Sequence, residues 1–169
     1  DTLRVFVDAQ MMLWARWPNT PDLDVMRPAL RDIQSGTGST TTWLYTVNDS
    51  GLTQPAGTWD GAVIHCTYSP KYWTHTGDVF SSAPGTLTFR SHDQGDSRYP
   101  GNGQYYLTGT YVALDSGGEW YYDSAAGTVY LWVPGGGDPD AHTVEVKARD
   151  RAFDLRGRSH VTVEGFDIF

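Results

Sequence analysis

Two groups of residues carry side chains from which chemistry could be built. Asp115 and Glu119 lie four apart in Leu114-Asp115-Ser116-Gly117-Gly118-Glu119-Trp120. Cleavage of a glycosidic bond needs two carboxylates facing each other across a cleft, roughly 5 to 9 Å apart. The same spacing suits a turn in which Asp115 caps backbone N–H groups while Glu119 orders the start of a hairpin. That reading is preferred, and no catalytic residue is assigned. The second group is aromatic. Trp59-Asp60-Gly61 and Lys71-Tyr72-Trp73-Thr74-His75 set rings beside polar groups. A ring face stacks on the apolar C–H face of a pyranose, and Asp, Lys or His alongside can bond its hydroxyls. The candidate carbohydrate contacts are therefore Trp73, Tyr72, Trp59, Asp60 and His75. Trp73 and Tyr72 form the expected platform, because Ser69-Pro70 and Thr76-Gly77 mark the region as loop, where adjacent rings can turn to one side. The competing reading has these rings closing the ends of a β-sandwich, as Trp17, Trp120 and Trp132 are expected to do.

Other chemistries lack support. The five histidines (His65, His75, His92, His142, His160) show no HExxH or i,i+4 spacing, so no metal site is assigned. No Gly-x-Ser-x-Gly elbow or phosphate loop is present. Calcium is a possibility only through the loop carboxylates Asp93, Asp96, Asp138 and Asp140. Their spacing matches no calcium-loop pattern, and no cofactor is expected. The single cysteine, Cys66, excludes an intrachain disulfide and sits in Ala62-Val63-Ile64-His65-Cys66, which reads as a buried strand with an inert thiol.

Composition narrows the partner. Among 169 residues, 39% are hydrophobic and 19% charged, with 7 Trp, 10 Tyr and 19 Gly. That balance belongs to an ordered β protein with more rings than one core needs. The formal net charge of −8 disfavours nucleic acid and anionic membrane surfaces, since both require clustered Lys and Arg. A polysaccharide or oligosaccharide, held by stacking and neutral hydrogen bonds, fits better. No apolar run is long enough to span a bilayer.

The elements that would position these residues are short strands. Alternation predicts strands at Leu3–Val7, Met11–Arg16, Thr40–Val47, Ala62–Thr67, Thr86–Arg90 and Thr143–Ala148. Glu119 to Val133 reads as a hairpin, with Gly127 supplying the permissive φ of its turn. Asp22 to Ile33 has weak helical spacing, which Pro28 limits to a short turn, and Ser91 to Gln104 reads as a long polar loop. Turns at intervals of about ten residues argue for an antiparallel sandwich or barrel. Residues 151–169 differ in texture. Ala152 to Gly157 and Val161 to Phe169 are two alternating segments about a Gly-Arg-Ser-His corner, as in one coil of a parallel β-helix. A single coil cannot bury both stacking faces, and about three repeats are needed. The chain is therefore expected to belong to something longer, as its start on Asp1-Thr2-Leu3 without Met also suggests.

Two stretches carry a family resemblance. Met12-Leu13-Trp14-Ala15-Arg16-Trp17-Pro18-Asn19 resembles the "ARWPN" segment of bacterial proteins with right-handed parallel β-helix repeats. Ala113-Leu114-Asp115-Ser116-Gly117-Gly118-Glu119-Trp120-Tyr121-Tyr122-Asp123 is similar to their "LD-x-PGEW-x-x-D" segment, with Gly117 in place of the usual Pro. The resemblance implies an all-β chain: an antiparallel β-sandwich or barrel-like accessory domain over residues 1–150, then the first coil of a right-handed parallel β-helix over 151–169. It further implies a secreted protein that degrades polysaccharide as a glycoside hydrolase or polysaccharide lyase, with the remainder of the β-helix as the domain's structural partner. Asp154, Glu164 and Asp167 fall on the expected coil, where resembling enzymes place catalytic acids only on later coils. The domain is thus expected to be non-catalytic. Its alternatives are a dedicated carbohydrate-binding module, a fragment contributing to a catalytic cleft, or a purely structural cap.

Overall fold

The computed structural model describes residues 3–24, 26–68, 73–92, 101–147, 149 and 151–166, with Tyr68 and Trp73 described in their backbone only. The chain is all-β, and among the described residues its regular helix is confined to three 3-10 turns at Pro21–Leu23, Tyr111–Ala113 and Pro139–Ala141. In chain order the strands are β1 (Val5–Val7), β2 (Gln10–Met11), β3 (Leu13–Trp14), β4 (Arg16–Trp17), β5 (Arg31–Asp32), β6 (Ser35–Gly38) and β7 (Leu44–Asn48). They continue as β8 (Val63–Tyr68), β9 (Trp73–Ala83), β10 (Thr86–Ser91), β11 (Gln104–Thr108), β12 (Glu119–Asp123), β13 (Thr128–Trp132) and β14 (Val144–Val146).

The largest sheet has eight strands in the order β4-β11-β8-β9-β10-β7-β6, with β5 also on β11, and all its pairings are antiparallel. Alternation explains which face it buries. Tyr45 and Val47 of β7, Ile64 and Cys66 of β8, Leu87 and Phe89 of β10, and Tyr105 and Leu107 of β11 all turn inward, each 3% exposed or less. Leu52, Trp59, Ala62 and Ala113 complete that core, with Trp17 and Tyr121 against it. Gly77 of β9 belongs here by necessity. A Cβ at that position would run into the Arg90 carbonyl and the Phe89 ring of β10.

Residues 31–38 run from one edge of this sheet to the other. Arg31 and Asp32 pair with Tyr105 and Gln104 of β11, while Ser35 to Gly38 pair with β7. Between them the Ile33 N–H donates to the Gly103 carbonyl and the Gln34 N–H to the Asn48 carbonyl, both at 2.9 Å. The sandwich-like sheet therefore curls until one segment bridges its edges, which leaves few open edge groups.

Two smaller sheets flank it: β14-β1-β2, and β13-β12-β3, in which β3 runs parallel to β12. They share a second core of Val5, Val7, Met12, Trp120 and Val133. The expected single strand over Met11–Arg16 is in fact three short ones, each in a different sheet. Successive N–H groups change partner: Met12 to the Val5 carbonyl, Leu13 to that of Gly118, Ala15 to that of Trp120. Ala15, 0% exposed, leaves room for the crossing, so this stretch laces the three sheets together.

The Glu119–Val133 hairpin forms as expected, with Asp123 Oδ1 accepting from the Ala125 and Ala126 N–H groups and Gly127 at φ +65°. The β-helix coil is not confirmed. Residues 151–166 contain no strand and are exposed throughout. Phe153 meets Phe166 edge-on at 4.9 Å, so the two segments do fold back on each other, but the alternating apolar side chains find no sheet to join.

Candidate functional site

The face of the large sheet opposite its core is neither apolar nor simply charged. At its centre is Tyr106, pointing outward from β11 between the inward Tyr105 and Leu107. Antiparallel pairing puts His65 of β8 directly across from it, and Arg16 of β4 across from Thr108 two residues along. The three side chains form a row. The Arg16 guanidinium lies 3.9 Å from the Tyr106 ring centroid. The His65 ring stacks on Tyr106 at 4.5 Å and 4°, with its Nε2 3.0 Å from Thr108 Oγ1. Both contacts give these rings a fixed orientation. Further along, Thr76 of β9 is opposite His65. Its Oγ1 lies 3.2 Å from His92 Nδ1, and His92 Nε2 is 3.0 Å from Asp78 Oδ2.

The Tyr106–His65 stack divides a groove. One half, about 340 Å³, extends under Trp14 and Met11 to Arg4, Thr20 and Trp120. The other, about 330 Å³, runs between the loop residues Pro28 and Leu30 and the strand residues Thr67, Thr74 and Gln104. Among the described residues no Asp or Glu lines either half. Each half lies at the lower end of the size range of small-molecule sites. Burial lowers the Arg16 pKa, partly offset by Tyr106 and Glu119. Burial, with the neighbouring Arg16 and His92 charges, also lowers that of His65, so His65 is a neutral hydrogen-bonding ring at neutral pH.

Asp115 and Glu119 do not face each other across any cleft. Glu119 is 1% exposed at the junction of the sheets, where its Oε1 accepts from the Arg16 N–H at 3.2 Å. Burial pushes its carboxyl up to about 7, although the Arg16, Asp115 and Ser116 amides pull the other way. Asp115 is exposed, and the N–H cap expected of its side chain is absent among the described residues. Glu119 is thus the structural half of the motif, as expected.

The five expected sugar contacts are not brought together. Trp59 is a correction: it is 2% exposed, packed 5.4 Å from Trp17, because the turn before β8 folds it into the core. Asp60 is exposed but accepts from Ser82 Oγ at 2.8 Å. His75, 6% exposed, alternates inward on β9 opposite Cys66 and borders the second half of the groove. Tyr72 lies outside the described residues. Trp73 opens β9 opposite Tyr68, so this residue belongs to a strand and not to the expected loop. Cys66 is buried, as expected. Of the loop carboxylates considered for calcium, Asp93 and Asp96 lie outside the described residues, and Asp138 caps a 3-10 turn through the Asp140 N–H at 3.0 Å. Sequence reasoning missed Arg16, His65 and Tyr106 as a unit. A signal was available in Gln104–Thr108, where Tyr105 and Leu107 alternate with Tyr106 and Thr108 as in a strand with one wet face.

No family model matches the chain, and no curated protein matches it. Among solved structures, one described as "Glycoside hydrolase" superposes with a TM-score of 0.57 at 21% identity, over 85% of this chain and 26% of the other. The chain thus spans about a quarter of that neighbour's length, and the likeness is one of fold. Among the described residues no helix is long and apolar enough to cross a membrane.

Proposed function

We propose that this chain is a non-catalytic accessory domain of a secreted, polysaccharide-degrading protein of the parallel β-helix kind, and that it holds carbohydrate in the groove on the outer face of its large sheet. The observation that carries the reading is the Arg16–Tyr106–His65 row. It fixes an aromatic edge and several donors along an open groove in whose walls no described residue is a carboxylate that could act as acid or base. A core position has no use for that combination, and a sugar does. The glycoside-hydrolase neighbour supports the same class of partner through its fold. Trp73 and Tyr72 stay proposed as contacts on the ring-stacking argument from the sequence alone.

The test is titration of the chain against a panel of neutral and acidic polysaccharides, repeated with Tyr106→Ala. Tyr106 lies between Arg16 and His65. Removing it loses its own hydrogen bond to the sugar, worth about 1 kcal/mol, and the ring that holds those two in line, so the variant should bind several-fold more weakly while unfolding at nearly the same temperature. A chain that binds none of the panel is a structural cap, and unchanged binding by the variant moves the site elsewhere.

A further inference from the structure

Charge in the groove runs against the composition of the chain. The formal net charge is −8, yet the half of the groove beside Trp14 is walled by the cations Arg4 and Arg16 and by no acidic residue among those described. Arg16 is only 8% exposed. A guanidinium so far withdrawn from water is expected to face a carboxylate. Among the described residues no carboxylate forms an ion pair with it, and Glu119 acts on its charge only from a distance. Its Nε donates to the Pro18 carbonyl at 3.2 Å and its Nη2 to that of Ala29 at 2.7 Å, both neutral acceptors. Glu119, the carboxyl that touches this residue, accepts from its backbone N–H instead. Two further groups in the same walls lack hydrogen-bond partners among the described residues, Thr20 Oγ1 and Trp120 Nε1, although Thr20 is 7% and Trp120 3% exposed. Buried donors in native proteins are nearly always satisfied, so a buried cation with only neutral acceptors among the described residues, and two unsatisfied donors around the same hollow, point to a missing acceptor with negative charge.

We propose that this half of the groove receives the anionic group of a charged sugar, the carboxylate of a uronate or a sulfate ester, paired with Arg16 and Arg4. The sugar ring lies against the exposed Trp14, which is itself stacked on Trp120 at 5.9 Å. The inference rests on the reading of the groove as a carbohydrate site and names the class of sugar. A nucleic acid is a poor occupant, because two arginines in one hollow do not make the extended basic track that a phosphodiester chain needs.

The experiment is isothermal titration of the full chain with four oligosaccharides of equal length: oligogalacturonate, its methyl ester, a sulfated galactan and a neutral galactan. An anionic probe is expected to bind at least tenfold more tightly than the ester and the neutral probe, with an advantage that shrinks as salt is raised. Preference for the uronate or for the sulfate identifies the source of the charge. Arg16→Gln risks misfolding, since its guanidinium also holds two backbone carbonyls. The exposed Arg4 side chain makes, among the described residues, only a hydrogen bond to the neighbouring Leu3 carbonyl, so Arg4→Gln should fold and should lose several-fold in affinity for the anionic probe alone. If the ester and neutral probes bind as tightly as the anionic ones, and Tyr106→Ala weakens them all, the charge inference falls and the carbohydrate reading stands. Binding of none of the four takes both down.

Discussion

Asp49 and Arg16 are both withdrawn from solvent, at 3% and 8% exposure, and their surroundings differ in one respect. Asp49 is fully answered. Arg31 meets it with two bonds of 2.8 Å, the Tyr105 hydroxyl donates at 3.0 Å, and the Gly51 N–H at 2.8 Å. Burial alone would raise its pKa, but these partners outweigh burial and hold it below the usual carboxylate range. Those groups come from β5, β11 and the end of β7, the region where residues 31–38 bridge the sheet edges. Arg16 has carbonyls and a ring but, among the described residues, no ion pair, with Glu119 acting on its charge only from a distance. The difference teaches how to tell a structural charge from a functional one in this fold. The satisfied charge sits at the closure of the sheet, and the open one sits in the groove.

The largest expected effect comes from breaking the closed site. Asp49→Ala leaves Arg31 and the buried Tyr105 hydroxyl unanswered and should destabilise the chain by about 3 kcal/mol, since Arg31 is partly exposed and the low end for broken buried pairs applies. Chemical denaturation measures it. The same partnership sets a pH dependence. Asp49 has a folded pKa below 3.8, so its contribution is complete above that value and is lost as the pH falls through the depressed one. A loss no greater than that of a surface substitution would mean the closure is held by packing alone.

Glu119 sharpens the contrast from the other direction, because it is buried beside Arg16 without pairing to its charge. The folded chain holds the Glu119 proton more tightly than the unfolded chain does. Stability from the protonated carboxyl is therefore complete below 4.5 and is lost as the pH rises to about 7. The change is roughly 3 kcal/mol as an upper estimate. Glu119→Gln should remove this slope between pH 4.5 and 7, read as the difference between the two pH–stability curves. Parallel curves would show that Glu119 stays ionised, its charge answered by Arg16 after all.

How much of this was legible in the residues depends on whether one face of each strand is apolar. In β7, β8 and β10 a buried set alternates with Thr, His and Arg, and the sequence pattern finds them. The strand β9 is hidden because Trp73-Thr74-His75-Thr76-Gly77-Asp78 has a polar outer face, a histidine facing inward and a glycine required by close approach, which together look like a loop. The strands β2, β3 and β4 look like one, since side-chain alternation says nothing of when the backbone changes partner. The groove was illegible for a related reason. Arg16, His65 and Tyr106 are far apart in the chain and meet only through cross-strand register, whereas the rings that cluster locally, around Trp59, were needed for the core. In residues 151–166 the alternation was real, but a strand also requires a neighbour.

That segment supplies the smallest expected effect and a third setting for the same chemistry. Asp154 accepts from Arg156 Nε and Nη2, with the shortest contact at 2.6 Å, a geometry as good as that of Asp49 with Arg31. Here both partners stand in water, where screening and the cost of holding two side chains still cancel most of the attraction. Good geometry without burial should therefore count for nothing. Asp154→Asn is expected to leave the melting temperature unchanged, and removal of residues 151–169 should change it by no more than a degree or two. Native-state hydrogen exchange should agree, with the amides of 151–166 exchanging almost as in an unfolded peptide while those of β8 and β10 open only with the whole domain. Protection of 151–166 comparable to β8 would mean that the Phe153–Phe166 contact nucleates real structure. Burial would then cease to be what separates the Asp49 pair from the Asp154 pair.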